Sequence, residues 1–409
     1  MIDREVVIIN GARTAIGTFG GTLRTLTVVD IGVAAVKGAI ERSGVKPEDI
    51  DEVIIGHARQ AGTGPNAARI VSVKAGIPSS VPAFGVQQAC ISGLQAVMLA
   101  ANSIRLGHSE VVLAGGMEHH SSIPYLSLNT RWGARMGDMV LEDAMFKDGY
   151  RCGIEDKLMG ELTEELAQKY GISRAEQDQF ALESQQKADA AKRSGFYAKV
   201  IVPIEIRQKE GPVLFQEDEH PRSDTTLERL AKLSPAFTKD GTITAGTSAG
   251  ITDGACALIV MSKEQADKLK LKPLAFIRSY ATAAVEAKYF GIGPVPAARK
   301  ALHLAGLTLD DIDLIEVNEA FAAQVLAVIK ELKLDKSKVN VHGGAIALGH
   351  PTGMSGTRLA LELAYALEEK DRRYGIVTIC GNGGHGGAMV LERMESVSFD
   401  MVEGGEPFD

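Results

Sequence analysis

A chain of 409 residues, 45% hydrophobic and 23% charged, can bury more than one core, which predicts a soluble globular protein of two or three domains. Its 52 acidic against 44 basic side chains give a net charge of −8, which argues against a nucleic-acid-binding surface but leaves room for a local basic cluster on a small anion. Four cysteines with no Cys-x-x-Cys pair argue against a disulfide framework and a structural zinc site, and predict a reducing compartment.

Taken from the N-terminus, Met1-Ile-Asp-Arg-Glu-Val-Val-Ile-Ile enters a strand without the charged and apolar regions of a signal peptide. No run of about 18 apolar residues marks a membrane span. The final Glu-Pro-Phe-Asp is not a peroxisomal address, so the expectation is a cytoplasmic protein. Residues 39–57 and 301–319 repeat one pattern: a helix end, a glycine stop (Gly44, Gly306), an Asp-Ile-Asp turn and an apolar strand. The repeat continues. Ser92-Gly93 opens a helical pattern followed by the strand from Val111, and Ser355-Gly356 opens another followed by Ile376–Cys380. Two duplicated α/β halves are the economical reading. Residues 121–250 read as an insertion covering one face of the first half, with an amphipathic helix near Ser173–Ser194. The residues after Arg393 read as a loose acidic tail.

Three short segments carry chemistry. Cys90 lies in Gln-Gln-Ala-Cys90-Ile-Ser92-Gly93, just before a helix whose N-terminal partial charge favours a thiolate. A buried structural cysteine is the plainer alternative. His350 lies in Gly349-His350-Pro351-Thr-Gly353, a sequence that predicts a turn. The repeat puts this turn at a point equivalent to the Cys90 turn, so the two face each other as a base and nucleophile would. Cys380 ends a strand and enters Gly-Asn-Gly-Gly-His-Gly-Gly, where free backbone N–H groups can meet an oxyanion. The same stretch matches Gly-x-Gly-x-x-Gly, but Ala388-Met-Val-Leu reads as a strand, against a dinucleotide site. Asn318, at the end of the strand Leu314–Val317, either orders a water or caps the next helix. Cys152 and Cys256 show no activating neighbours in the sequence.

These segments resemble the thiolase family over nearly the whole chain. The matching motifs, in order, are Cys90-x-Ser92-Gly93, Val-Val-Leu-Ala-Gly-Gly-Met-Glu118, Arg131-Trp-Gly-Ala-Arg-Met-Gly137, Gly241-Thr-Ile-Thr-Ala-Gly246, Asn318-Glu-Ala-Phe-Ala, Gly-Gly-Ala-Ile-Ala-Leu-Gly-His350-Pro-x-Gly and Cys380 with its glycines. The resemblance implies an α/β fold layered αβαβα. Residues 1–120 plus 251–272 would form one half, 121–250 a loop domain, and 273–409 the other half with an acidic tail from about 396. It implies a homo-oligomer, a dimer or tetramer, acting in fatty acid metabolism. It further implies ping-pong acyl transfer on coenzyme A thioesters, with CoA and acyl-CoA as substrates and no tightly bound cofactor, metal, nucleic acid or membrane partner. Cys90 would carry the acyl group, His350 would be its base, and Cys380 would move the proton at carbon. His350 and a water on Asn318 would bind one thioester oxygen, and the N–H groups of Cys90 and Asn382 the other. Arg222, Leu158, Met159, Ala236, Phe237, Ser248, Ala249, Gly250 and Phe321 carry over as contacts to coenzyme A or the acyl chain.

The chain departs from the family at four places. Asn382 stands where glycine is frequent, Leu158 where histidine is, Ala249 where serine is, and Arg229 where a small polar residue is. Leu158 is expected to widen the acyl pocket. Two competing readings are a related decarboxylating ketosynthase and a non-catalytic acyl-CoA carrier or complex subunit. The second cysteine and Asn-Glu-Ala-Phe speak against the first, and the intact catalytic set against the second.

Overall fold

The computed structural model describes residues 4–208 and 211–394, and the expected acidic tail lies outside the described residues. The first half runs β1 (Val6–Thr14), α1 (Val28–Ser43), β2 (Glu52–His57), β3 (Ala83–Val86), α2 (Ser92–Arg105) and β4 (Val111–His119), and resumes at β5 (Thr252–Ser262). The intervening segment contains α3 (Met159–Lys169) and α4 (Arg174–Arg193). The second half runs β6 (Ala275–Ala284), α5 (Pro294–Ala305), β7 (Leu314–Val317), α6 (Ala322–Leu332), α7 (Thr352–Glu369), β8 (Tyr374–Gly381) and β9 (His385–Arg393).

The first part of the repeat read from the sequence, helix end, glycine stop, turn and strand, is present in both halves. Helix α1 stops at Gly44 (φ 71°) and α5 at Gly306 (φ 68°), both in the left-handed conformation that glycine reaches cheaply. The strands form one sheet in the order β7-β8-β9-β6-β1-β5-β4-β2-β3. β2 lies parallel to both β3 and β4, and β7 lies parallel to β8. An isolated parallel bridge, Ile315 to Val339, stands where the first half has its β2–β3 pairing. The halves meet where β1 runs antiparallel to β6.

Helices α2 and α7 pack against each other and touch strands of both halves, while α1 covers β1 and β5 and α5 covers β6 and β9. The two halves of the one sheet thus flank the central helix pair, giving layers of helix, strands, helix, strands, helix. Glycine sets the closeness of the central pair. A Cβ on Gly93 would lie 2.6 Å from the Gly353 carbonyl oxygen, and one on Gly356 would lie 2.4 Å from the Leu94 nitrogen.

Two expectations need correction. Helix α7 starts at Thr352, with Pro351 at its N-cap, so the predicted turn ends earlier and Ser355-Gly356 lies inside the helix. Helix starts tolerate proline because the first N–H groups have no helical partner. Gly353 is helical because it packs where no side chain fits: a Cβ there would lie 2.3 Å from the Met117 carbonyl oxygen. The second correction concerns residues 121–250. Helices α3 and α4 pack on α6 and on the single turn Ala345–Leu348, which belong to the second half. Leu166, Phe180 and Ala181 share an apolar cluster with Val325, Leu326 and Ile329, while Ala191, Phe196 and Val200 share one with Val7, Ile31 and Val36, so the insertion covers both halves and not the first alone. A short strand, Ile201–Val202, pairs with β1 and ties the insertion to the first half.

Among the described residues, no helix is long and apolar enough to cross a membrane, and no cluster of three or more His, Cys, Asp or Glu is arranged to hold a metal.

Candidate active site

The turn from β3 into α2 presents Cys90. Ala89 takes a left-handed φ of 47°, which an L-residue adopts only under constraint. Ser92 supplies that constraint: its hydroxyl accepts from the Gln88 N–H at 2.8 Å and donates to the Ala89 carbonyl at 2.6 Å. Cys90 is left partly open to a cavity of about 490 Å³, and His350, Cys380 and Asn382 line the same space. The backbone N–H groups of Cys90 and Asn382 lie near the Cys90 sulfur and favour its thiolate. Burial nonetheless raises its pKa, against the pull of the Arg59 charge.

Gly349 (φ 95°) delivers His350 to the N-terminus of α7. The imidazole is held on both sides. Ser355 Oγ donates to the Pro351 carbonyl at 3.1 Å and so accepts from His350 Nδ1–H at 2.6 Å. This network assigns the proton to Nδ1 and leaves the Nε2 lone pair free, with Asn318 Nδ2 facing it at 3.5 Å. Burial, reinforced by the nearby His120 and Arg59, lowers the His350 pKa to about 3. A neutral imidazole beside a neutral thiol is therefore the resting pair, and the proton moves when the sulfur attacks.

Asn318 is not a helix cap, because α6 begins at Ala322 with Phe321 at its N-cap. Its backbone N–H donates to the Thr378 carbonyl at 3.0 Å. Its Oδ1 is buried and accepts from no described residue, which leaves one acceptor for a water or substrate donor. Cys380 closes β8 and is buried. Burial pushes its thiol pKa well up, and the neighbouring Cys90 adds to the effect. Gly383 (φ 85°) and Gly384 (φ 88°) take the left-handed positions of the following turn, so Asn382 needs no glycine geometry. Its side chain donates to the Gly149 carbonyl at 2.8 Å and the Arg151 carbonyl at 3.2 Å, pinning the insertion against the Cys380 turn. The next strand begins at His385, so the glycine run opens no dinucleotide helix.

Of the residues carried over as coenzyme A or acyl contacts, Met159, Ala249, Gly250 and Phe321 line the cavity; Leu158, Arg222, Ala236, Phe237 and Ser248 do not. Leu158 is the N-cap of α3, so its expected widening of the pocket has no basis, and Met159 holds the lining position. Phe237 packs edge-on to Phe321 with centroids 5.8 Å apart, and Ser248 bridges to Phe321. Arg222 is exposed. The strand-like segment through Ala249 and Gly250 supports the site directly, since the Gly250 carbonyl accepts from the His350 N–H at 3.0 Å.

The sequence reading missed a polar group on the same wall. Arg59, Tyr150 and Thr352 line the cavity. The Tyr150 hydroxyl donates to His120 Nε2 at 3.1 Å, and His120 Nδ1 donates to the Thr252 carbonyl at 2.6 Å. Buried Glu118 is held well below the usual carboxylate range; burial opposes this, and the hydrogen bond and charge of His57 with the charge of Arg59 outweigh it. The partners come from segments up to 293 residues apart in the chain, so no local motif signals them.

With this geometry, comparison with known proteins is decisive. The profile described as "Thiolase, N-terminal domain" matches residues 6–264, and "Thiolase, C-terminal domain" matches 271–393. An acetyl-CoA acetyltransferase of Cupriavidus necator is 48% identical over 390 residues, 95% of this chain and 99% of that protein. The crystal structure of the Bacillus anthracis acetyl-CoA acetyltransferase superposes with a TM-score of 0.94 at 45% identity, covering 96% of this chain and 99% of its own. Human mitochondrial 3-ketoacyl-CoA thiolase, solved in complex with CoA, gives 0.92 at 41% identity, covering 96% and 98%. The chain belongs to the thiolase family.

The buried imidazole has a measurable consequence. His350 unfolds to an ordinary pKa near 6.5 and folds to about 3. The unfolded chain binds a proton there that the folded one refuses, so stability falls as pH drops from about 6.5 towards 3, by about 1.4 kcal/mol per pH unit. In urea unfolding, His350→Asn is expected to lose less stability than wild type between pH 7 and pH 5. Equal losses would refute the buried-neutral assignment.

Proposed function

We propose that the protein is a working thiolase, catalysing the reversible CoA-dependent Claisen condensation of acyl-CoA with acetyl-CoA and the thiolysis of 3-oxoacyl-CoA through an acyl-Cys90 intermediate. The observation that carries this is the convergence of two thiols and one neutral imidazole on a single cavity. In thiolysis, His350 Nε2 takes the Cys90 proton as the sulfur attacks the 3-oxo carbon. The bond between C2 and C3 breaks, and the Cys380 thiol protonates C2 to release acetyl-CoA. The Cys380 thiolate then recovers the proton held by His350, a CoA thiol gives its proton to the freed imidazole and attacks the acyl-enzyme, and the departing Cys90 sulfur takes that proton as the shortened acyl-CoA leaves. The raised pKa of Cys380 suits this step, because it rests as the acid the leaving carbanion needs. The N–H groups of Cys90 and Asn382, already directed at the Cys90 sulfur, serve one oxyanion. His350 Nε2 with a water on Asn318 serves the other thioester oxygen.

The human relative solved with CoA supports CoA and acyl-CoA as the substrates, entering past Met159, Ala249 and Phe321. This route calls on no tightly bound cofactor. We read the protein as a homo-oligomer, a dimer or tetramer, in fatty acid metabolism. In support, the arm through Tyr125, Trp132, Met136 and Val140 exposes large apolar side chains, with Trp132 at 90%. Cytoplasmic location is supported by four unpaired thiols, two of which the route needs reduced.

The test is the cleavage of acetoacetyl-CoA by the purified chain with free CoA. Turnover with parallel double-reciprocal lines is expected, the mark of a covalent ping-pong route. Binding of acyl-CoA without turnover would favour the carrier reading instead.

A further inference from the structure

The polar group at Arg59, Tyr150 and Thr352 is not needed by the route above. Arg59 lines the cavity and is only 7% exposed. Its Nη1 donates to Thr352 Oγ1 at 2.6 Å, its Cζ lies 4.7 Å from the centroid of the Tyr150 ring, and its buried Nε has no partner among the described residues. Glu118 is the nearby carboxylate, with Oε2 3.8 Å from Nη1. Its oxygens are already committed. Oε1 takes the Arg59 backbone N–H at 3.2 Å and lies 3.3 Å from His57 Nε2. Oε2 takes Thr352 Oγ1 at 2.5 Å, Gly353 N–H at 3.0 Å and Ala58 N–H at 3.2 Å. Glu118 therefore balances part of the charge without hydrogen-bonding to the guanidinium. Gly149 packs over the Nε–Nη2 edge: a Cβ there would lie 2.3 Å from both nitrogens, so only glycine fits against the guanidinium, and Nε itself is buried. A guanidinium on the cavity wall, held by stacking and one hydroxyl and with its charge only partly balanced, favours an anionic group in the cavity.

We propose that Arg59 is a specificity-determining residue for an acyl group that ends in a carboxylate, so that the preferred 3-oxoacyl-CoA is derived from a dicarboxylic acid. The inference rests on the thiolase reading for its chemistry but concerns only which acyl group Cys90 accepts. An aliphatic chain in this cavity would leave the Arg59 charge only partly balanced, whereas a terminal carboxylate would offset it. A second cavity, of about 420 Å³, shares Ala58, Arg59, Gln87 and Asp148 with the first, so the wall at Arg59 has space on both sides. Asp148 in that shared wall is solvent-exposed, where its repulsion of a bound carboxylate is screened.

The experiment compares thiolysis of 3-oxohexanedioyl-CoA with that of 3-oxohexanoyl-CoA, equal in chain length and different only at the terminal group. Wild type is expected to favour the diacid by roughly tenfold or more in kcat/KM, and Arg59→Gln to bring that ratio near or below one. Arg59→Lys, with the charge but not the fork, is expected to fall between. The ratio is the readout, so a loss common to both substrates does not count. A wild-type ratio near one, or a ratio unchanged in Arg59→Gln, overturns the proposal. If acetoacetyl-CoA is cleaved while the diacid is not favoured, the inference fails and the thiolase reading stands. A second measurement is independent of turnover: on the Cys90→Ala background, succinyl-CoA should bind more tightly than butyryl-CoA, and Arg59→Gln should erase the difference. Equal binding of the two overturns the proposal even if no substrate is turned over.

Discussion

Cys90→Ala is expected to abolish the covalent acyl-enzyme and to cut thiolysis and condensation by about 10⁴-fold or more, the scale on which loss of a covalent nucleophile is felt. The loss should be complete in the first half-reaction. With labelled acetyl-CoA, intact-protein mass spectrometry should find one acetyl adduct on wild type and none on the variant. The other three cysteines offer no substitute, since Cys152, Cys256 and Cys380 are all buried while Cys90 is partly open to the cavity. Cys256 lies within β5, and burial raises its thiol pKa far above the usual range. A labelled adduct persisting on Cys90→Ala would overturn the assignment of the nucleophile. The fold should survive the change: the Ala89 turn is clamped by Ser92, not by the thiol, so the variant removes one sulfur without unlocking the turn.

The parts of this site that could be read in advance are those the duplication makes local. Gly44 and Gly306 stop equivalent helices, and the strands after them carry His57 at one end and Asn318 just beyond the other. That equivalence placed the Cys90 and His350 turns at matching entries into α2 and α7, and both turns do open onto one cavity. Periodicity failed where burial is two-sided. Helix α7 shows an apolar stripe through Leu359, Leu363 and Leu367, but its polar residues Ser355, Thr357, Arg358 and Glu362 are buried as well. The charges are paired inside: Arg13 Nε donates to Glu362 Oε1 at 2.8 Å, and Arg358 donates to the other oxygen at 2.5 Å. A polar residue in sequence reads as solvent-facing, and only the layer count shows otherwise. The Arg59, Thr352 and Glu118 group was illegible for a related reason, since three remote segments supply it. The contact of the insertion with the second half escaped the sequence because an amphipathic helix such as α4 declares that it has an apolar face, not which surface covers it.

Cys380→Ala tests the asymmetry between the two thiols. Acyl exchange between acetyl-CoA and labelled CoA passes only through Cys90 and makes no carbon–carbon bond, so it should continue near the wild-type rate. Thiolysis of acetoacetyl-CoA and its reverse require a proton at carbon, and these should fall by about 10²- to 10⁴-fold, the usual share of a positioned acid or base. Cys380 packs with Cys152, Met159, Leu162 and Phe290, so truncation to alanine also removes a packed sulfur, at a cost of about 1 kcal/mol. Cys380→Ser separates packing from chemistry. It nearly preserves the volume but replaces the thiol by a hydroxyl that is a far weaker acid, and it should be impaired in thiolysis as severely as alanine. If serine restores carbon–carbon cleavage, Cys380 acts by filling space. If both variants lose acyl exchange while remaining folded, the two thiols do not divide the work, and a proton relay between them must replace the separate roles argued from Cys90 beside His350 and Cys380 at the end of β8.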